Sequence, residues 1–167
     1  MNIVLIGMAG CGKSTIGVLL AKALGMSFVD TDLLIQEREE RLLQEIIDLD
    51  GLQKFINIEE KVILSLNIDH SVIATGGSAV YGNFAMEHLK KKGKIIFLNL
   101  SYENIEKRIK NITTRGIAMN KGQTLRDVFD ERMNLYLKYA DIEIDCDDKD
   151  IEEIIEEIVT KISKESI

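Results

Sequence analysis

The sequence predicts an α/β fold in which helices flank a five-stranded parallel sheet. Two observations carry this prediction. Short apolar segments typical of buried strands alternate with longer amphipathic segments typical of helices from one end of the chain to the other. The first apolar segment also runs directly into a glycine-rich segment, residues 7–15, which is followed by a helical pattern.

The individual elements follow from hydrophobic periodicity and capping residues. Strands are predicted at residues 3–6, 27–30, 72–74, 95–98 and 142–144. The first helix follows the glycine-rich segment and ends near Gly25, and later helices cover residues 51–66, 101–108, 124–139 and 151–162. Thr124 and Asp127 have the spacing of a capping box at the start of the fourth helix. In parallel sheets of this kind, ligands bind beyond the carboxyl ends of the strands.

Length and charge limit the function classes. The chain has 167 residues, which predicts one domain over residues 1–167. Its net charge of −7 argues against a nucleic-acid partner, because phosphate backbones bind clustered Lys and Arg. No apolar segment approaches the roughly 20 residues of a membrane span. We therefore expect a cytoplasmic monomer with a small-molecule substrate and without a nucleic-acid or membrane partner.

The glycine-rich segment has the spacing of a P-loop. Four residues separate Gly7 from Gly12, and Lys13 and Ser14 follow. In such a loop, backbone N–H groups surround a phosphate at the positive end of a helix. The segment predicts ATP as ligand, with Lys13 at the β- and γ-phosphates and the Ser14 hydroxyl on Mg²⁺. The loop residues expected around the nucleotide are Gly7, Gly10, Cys11, Gly12, Lys13, Ser14 and Thr15. The alternative is a glycine-rich turn that happens to carry a lysine.

Two carboxylates follow the second predicted strand. Asp30 and Asp32 flank Thr31, and strand alternation points both side chains to the same side unless the chain turns first. Beside a P-loop, one carboxylate can hold Mg²⁺, usually through water, and the other can orient or deprotonate the attacking hydroxyl. The alternative is that Asp32 merely caps a helix that begins at Leu33.

Glycines and arginines further along the chain extend the candidate site. Gly76 and Gly77 follow the third strand and would let the backbone approach a bound molecule with its N–H groups free to donate, although a tight turn is an equal alternative. The polar stretch 111–123 interrupts the α/β pattern and is the candidate lid. It contains Arg115, and Arg132 lies on the next helix. An arginine over the transferring phosphates stabilises charge on the γ-oxygens, whereas most surface arginines are simply solvated.

These motifs, together with Leu135-Tyr136 and Ala140-Asp141, resemble the shikimate kinase family along essentially the whole chain. The resemblance implies a P-loop kinase core that binds Mg-ATP. It implies roles for the following residues: Ser14 and Asp30 at Mg²⁺, Asp32 at the acceptor hydroxyl, Gly76 and Gly77 as N–H donors to the substrate, Arg132 at the substrate carboxylate, Arg115 as the lid arginine, and Arg108 beside adenine.

The substrate half departs from the family pattern at three points. Ile56 follows Phe55, and at the position of Ile56 the family has an arginine that binds the substrate carboxylate. Ser78 replaces a third glycine, and Arg115 is followed by Gly-Ile-Ala instead of Pro-Leu-Leu. We therefore expect an ATP-dependent kinase that phosphorylates a hydroxyl of a small metabolite and uses shikimate poorly or not at all. The alternatives are a kinase of a nucleotide or sugar acid, and a nucleotide-binding module without catalysis.

Overall fold

The computed structural model describes residues 1–110 and 116–165. Five strands form one parallel sheet in the order β2-β3-β1-β4-β5. They are β1 (Asn2–Ile6), β2 (Ser27–Asp30), β3 (Ser71–Ala74), β4 (Gly93–Asn99) and β5 (Ile142–Asp145). Each predicted strand lies within an observed one, and the predicted fold class is confirmed.

The helices are α1 (Lys13–Leu24), α2 (Thr31–Glu39), α3 (Leu43–Asp50), α4 (Leu52–Ser65), α5 (Asn83–Lys92), α6 (Tyr102–Lys110), α7 (Leu125–Tyr139) and α8 (Ile151–Glu165), with a 3-10 turn at Ala79–Tyr81. The five predicted helices correspond to α1, α4, α6, α7 and α8. The predicted capping box is present, since the side chains of Thr124 and Asp127 each accept the other's backbone N–H. The sequence pattern did not predict α3 or α5, and in α3 only Ile46 and Ile47 are buried among eight residues.

The carboxyl ends of three strands meet at one edge of the sheet. Ala74 of β3 pairs with Leu5 of β1 on one side and with Asp30 of β2 on the other. The Thr75 N–H continues this pattern by donating to the Leu5 carbonyl at 3.2 Å. Because the strands are parallel, the P-loop, Asp30 and the segment after β3 all emerge at this edge.

Two hydrophobic clusters support that edge. The larger one contains the central strands and the helices on both faces of the sheet, so Val4 and Leu5 are fully buried. The smaller one lies among α2, α3 and α4 and consists of Ile35, Ile46, Ile47, Phe55, Val62 and Ala118. Ala118 belongs to the candidate lid, so this part of the lid packs against the α2–α4 layer. Among the helices of the described ranges, none has both the length and the apolar character that a membrane crossing requires.

Candidate active site

The P-loop joins β1 to α1 and adopts a backbone conformation that needs glycine. Gly10 and Gly12 have φ angles of 83° and 105°, in the left-handed region that residues with a Cβ rarely adopt. Gly12 is the N-cap of α1, and it supplies no side-chain cap. The N–H groups of the first turn and the positive end of the helix dipole can therefore serve an anion.

Lys13 folds back into the P-loop. Its Nζ donates to the carbonyl oxygens of Gly7 and Met8 at 2.6 and 2.8 Å, and the residue is 8% exposed. Carbonyl oxygens compensate an ammonium charge less strongly than an anion does, because hydrogen bonds between two charged groups are the stronger class. A phosphate in the loop would therefore be a better partner for Lys13 than the carbonyls.

Two further residues predicted at the nucleotide contact the loop itself. Arg108 of α6 donates through Nη1 to the carbonyl oxygens of Gly10 and Cys11, both at 3.3 Å. The Cys11 thiol is buried and lies 3.8 Å from the Lys13 Nζ, so this side chain fills the base of the loop. Ser14 and Thr15 are exposed at the start of α1.

Asp30 connects the P-loop to α2. Its Oδ2 accepts a hydrogen bond from the Ser14 hydroxyl at 2.6 Å, and its Oδ1 accepts one from the Asp32 N–H at 3.0 Å. The chain turns into α2 directly after Asp30, so Asp30 is the N-cap of this helix. The alternative in which Asp32 caps a helix beginning at Leu33 is therefore wrong.

The Ser14–Asp30 pair has the chemistry that Mg²⁺ prefers. This ion commonly binds one or two carboxylates together with water and substrate phosphates, and it seldom occupies a site made of protein ligands alone. Within residues 1–110 and 116–165, no group of three or more His, Cys, Asp or Glu residues could hold a metal ion. The arrangement thus fits an ion that binds together with a nucleotide.

Gly76 lies beside two acidic side chains. A Cβ at this position would overlap Glu59 Oε1 and lie 2.7 Å from Asp32 Oδ1, which puts these two oxygens within about 5 Å of each other. The Gly76 N–H donates to the Thr31 hydroxyl at 3.2 Å. The expectation that both glycine N–H groups stay free to donate is therefore wrong for Gly76, because α2 supplies an acceptor. A Cβ at Gly77 would lie 3.0 Å from Arg132 Nη1.

Glu59 of α4 is a buried acid without a cationic partner in the described ranges. It is 1% exposed, Oε2 accepts a hydrogen bond from the Ser78 hydroxyl at 2.5 Å, and Oε1 has no hydrogen-bond partner among the described residues. Burial, and secondarily the charge of Asp32, raise the pKa of Glu59 to about 8. Its carboxyl is therefore largely protonated at neutral pH.

Arg132 of α7 is held by the candidate lid and by the turn after Gly77. It is 1% exposed, its Nη2 donates to the Ala118 carbonyl, and its Nε donates to the Tyr81 hydroxyl at 3.4 Å. The guanidinium also lies 5.3 Å from the centroid of the Tyr81 ring. One alternative from the sequence was that Arg132 is a solvated surface arginine. The burial of its side chain contradicts that alternative.

Several of these groups line one cavity of about 200 Å³, whereas Asp30, Glu59 and Arg108 do not belong to its lining. Predicted residues in its lining are Gly10, Gly12, Lys13, Ser14, Asp32, Gly76, Gly77 and Arg132. The α2–α4 layer adds Gln36, Leu42, Leu43 and Phe55, and the candidate lid adds Gly116, Ile117 and Ala118. The predicted lid arginine, Arg115, lies outside the described residues.

The similarity to known proteins extends over nearly the whole chain. Residues 9–163 match the family model for shikimate kinase. The shikimate kinase of Sulfurihydrogenibium sp. is 37% identical over 164 residues, with 98% of each chain covered. The chain belongs to the shikimate kinase family. The resemblance predicted from the motifs is thereby confirmed.

Solved shikimate kinases have the same fold. The enzyme from Acinetobacter baumannii, in complex with shikimate, matches with a TM-score of 0.91 at 28% identity, covering 99% of this chain and 94% of that one. The enzyme from Aquifex aeolicus matches with a TM-score of 0.85 at 30% identity, covering 100% and 99%. This member of the shikimate kinase family is an ATP-dependent small-molecule kinase that transfers phosphate to a hydroxyl. The alternative of a binding module without catalysis is not supported.

Ile56 lies beside the main cavity of this shikimate kinase family member. It is partly exposed and lines a neighbouring cavity of about 160 Å³ together with Tyr81, Gln123 and Glu131. Ala118 lines both cavities, so the two cavities adjoin at this residue.

Sequence reasoning did not identify Glu59, although a signal was present. On α4, Glu59 shares the apolar face that buries Phe55, Val62 and Ile63. A charged residue on the buried face of a helix is unusual and indicates a special environment. The sequence could not show which groups would surround it.

The raised pKa of Glu59 predicts a stability that falls with pH. The unfolded carboxyl titrates near 4.5 and the folded one near 8, so the folded state binds more protons between these values and stability decreases as pH rises through this window. Glu59→Gln removes this dependence. We expect the free energy of unfolding of Glu59→Gln, relative to that of the wild type, to rise by about 3 kcal/mol between about pH 5 and pH 7.5. Urea unfolding at both pH values measures it, with the exposed Glu37→Gln of α2 as control. A pH-independent difference would contradict a neutral Glu59.

Proposed function

We propose that this chain transfers the γ-phosphate of ATP, with Mg²⁺, to a hydroxyl of a small polyhydroxylated molecule, and that shikimate is a poor acceptor. The observation that supports the proposal is the single cavity into which the P-loop, Asp32 and Arg132 converge. It places an anion site, a carboxylate and a buried cation within reach of one bound molecule. A cytoplasmic location and a monomeric state remain predictions.

The P-loop half of the cavity serves the nucleotide. Its N–H groups and Lys13 bind the phosphates, and Arg108 at the loop flanks the adenine in this proposal. Ser14 and Asp30 would hold Mg²⁺, which when bound offsets negative charge on the β- and γ-phosphate oxygens. Arg115 of the lid is proposed to close over the γ-phosphate.

Asp32 and Gly76 serve the acceptor hydroxyl. Asp32 Oδ1 lies beside the Gly76 backbone, so a hydroxyl bound there has a carboxylate to orient it and accept its proton as the phosphate is transferred. Kinases need little more from the protein than this positioning and charge stabilisation. Gly77 and Arg132 would bind the polar end of the acceptor, with Arg132 at any carboxylate.

The acceptor end has fewer positive charges than the family pattern leads one to expect. Ile56 supplies no cation, and Arg132 already donates to Ala118 and Tyr81. A carboxylate that loses one charge-assisted partner binds more weakly by about 1.5–3 kcal/mol, or roughly one to two powers of ten.

Ile56→Arg tests this proposal. The side cavity next to Ile56 offers room for a longer side chain, and Ala118 lines both this cavity and the main one. We expect the variant to raise kcat/KM for shikimate at least about tenfold, because a guanidinium would restore the missing partner of the carboxylate. The measurement is ADP release at saturating Mg-ATP, and Ile56→Met, of similar volume but without charge, is the matched control.

The same assay on the wild-type enzyme tests the alternative acceptors. Shikimate, quinate, gluconate and nucleoside monophosphates are compared as acceptors, since a nucleotide or sugar acid is the second candidate class. A wild-type KM for shikimate in the micromolar to low-millimolar range with ordinary kcat would contradict the proposal, because Arg132 and a neighbouring lysine or arginine would then hold the carboxylate without help from position 56. Phosphorylation of none of them would contradict the proposed acceptor class.

A further inference from the structure

The proposed function leaves one buried acid, Glu59, without a role. Its Oε2 is held by the Ser78 hydroxyl at 2.5 Å, and its Oε1 has no hydrogen-bond partner in the part of the chain that the structure describes. That oxygen lies within about 5 Å of Asp32 Oδ1, and both oxygens adjoin Gly76. Asp32, Gly76 and Ser78 all line the cavity, whereas Glu59 lies behind them.

Charged groups face Glu59 from three other elements: Asp32 from α2, Arg132 from α7 and Lys13 from α1. Lys13 donates to P-loop carbonyls and Arg132 to Ala118 and Tyr81, and no ion pair links either cation to Glu59 within the described ranges. Two ionised carboxylates this close, one of them buried and the other partly exposed in the cavity, repel each other. The cluster is therefore most stable when one of the two acids keeps its proton.

We propose that Glu59 is a positioning residue for Asp32: as a neutral carboxyl fixed by Ser78, it allows Asp32 to stay beside Gly76 as the ionised carboxylate. The inference rests on the proposed role of Asp32 and deepens it. When Glu59 loses its proton, its negative charge acts on the neighbouring Asp32 and adds to the negative charge near the transferring phosphate. Phosphoryl transfer should then slow as pH rises through about 8.

The Ser78 hydroxyl fixes the Glu59 carboxyl in this chain. A glycine at that position would offer no hydroxyl, and Glu59 would lose its hydrogen bond. Ser78→Ala removes the hydroxyl with the smallest change in volume. We expect Ser78→Ala to lower kcat/KM at pH values where Glu59 is neutral, because the carboxyl is no longer fixed beside Asp32.

The kinetic test measures kcat/KM for shikimate, at saturating Mg-ATP, from about pH 6 to about pH 9.5. Initial slopes give this quantity even for a weak acceptor. The wild type should lose about tenfold per pH unit above about pH 8, and Glu59→Gln should lack this loss because an amide does not titrate. Near pH 7, Glu59→Gln should exceed Glu59→Ala by about tenfold, since only glutamine keeps the Ser78 contact. A descending limb that persists in Glu59→Gln would overturn the proposal, and Glu37→Gln controls for loss of a surface carboxyl.

A second test needs no acceptor and separates this inference from the proposed function. Carbon-13 NMR of the ligand-free protein follows the Glu59 carboxyl through a pH titration in the wild type and in Asp32→Asn. We expect a wild-type midpoint near 8 and a lower one in the variant, because the charge of Asp32 raises it. A Glu59 midpoint in the ordinary glutamate range, or one that Asp32→Asn leaves unchanged, would overturn the inference. If the coupling is present but none of the tested acceptors is phosphorylated, the proposed function fails and the Glu59–Asp32 coupling stands.

Discussion

Lys13→Met should lower kcat by about 10²–10³-fold, because it removes a preorganised positive charge from the developing charge on the transferring phosphate. Methionine keeps the length and the apolar stem of lysine but donates no hydrogen bond. Lys13 already lies inside the loop, where its Nζ is 2.6 and 2.8 Å from two carbonyl oxygens. Exchange of these carbonyls for phosphate oxygens needs a movement of the side chain alone.

The effect of Lys13→Met is measured as ADP release at saturating ATP and acceptor, so that weaker binding does not mask the change in rate. Lys22→Met, on the exposed last turn of the same helix, is the matched control and should retain the wild-type rate. An unchanged kcat in Lys13→Met would contradict the role of this lysine. Calorimetry that detects no ATP binding by the wild type would contradict the nucleotide site as a whole.

Asp32→Asn should lower kcat by about 10²–10⁴-fold while it changes ATP affinity little, because a general base contributes in this range and an amide cannot accept the hydroxyl proton. The substitution preserves shape, and the start of α2 should persist because Asp30 is its N-cap. Rapid-quench measurement of a single turnover separates the chemical step from product release.

Asp30→Asn is the informative comparison for Asp32→Asn. Asparagine caps helices about as well as aspartate, so α2 should be retained, but the charge beside Ser14 is lost. We expect the Mg²⁺ concentration for half-maximal rate to rise in Asp30→Asn and to stay near the wild-type value in Asp32→Asn. Full kcat in Asp32→Asn would show that this carboxylate does not act on the acceptor hydroxyl.

The strands and the P-loop could be predicted because their signals are local. The segments predicted as β1, β3 and β4 are short apolar runs, and burial on both faces requires an apolar run of this kind whatever else surrounds it. The conformation of Gly10 and Gly12 is likewise inherent in the loop, since left-handed φ angles favour glycine. Thr124 and Asp127 formed the predicted capping box because its partners are three residues apart.

Predictions that depended on the direction of a side chain, or on a partner distant in the sequence, were less accurate. Strand alternation through Asp30 and Asp32 ends at once, because α2 begins at Thr31. The Gly76 N–H has a partner 45 residues away, the Thr31 hydroxyl, which no local pattern around Gly76 contains. The burial of Arg132 similarly depends on Ala118 and Tyr81, which lie on separate segments.

The sequence by itself determined the α/β order, the anion-binding loop and the family, because each depends on residue types at fixed short spacings. Only the tertiary structure decided which acids lie close enough to influence each other's protonation. Glu59 comes from α4, Asp32 from α2 and Ser78 from the segment after β3, and they meet because their three elements pack around Gly76. The pKa of Glu59 follows from that meeting, since burial and a neighbouring charge exist only once distant segments exclude water together.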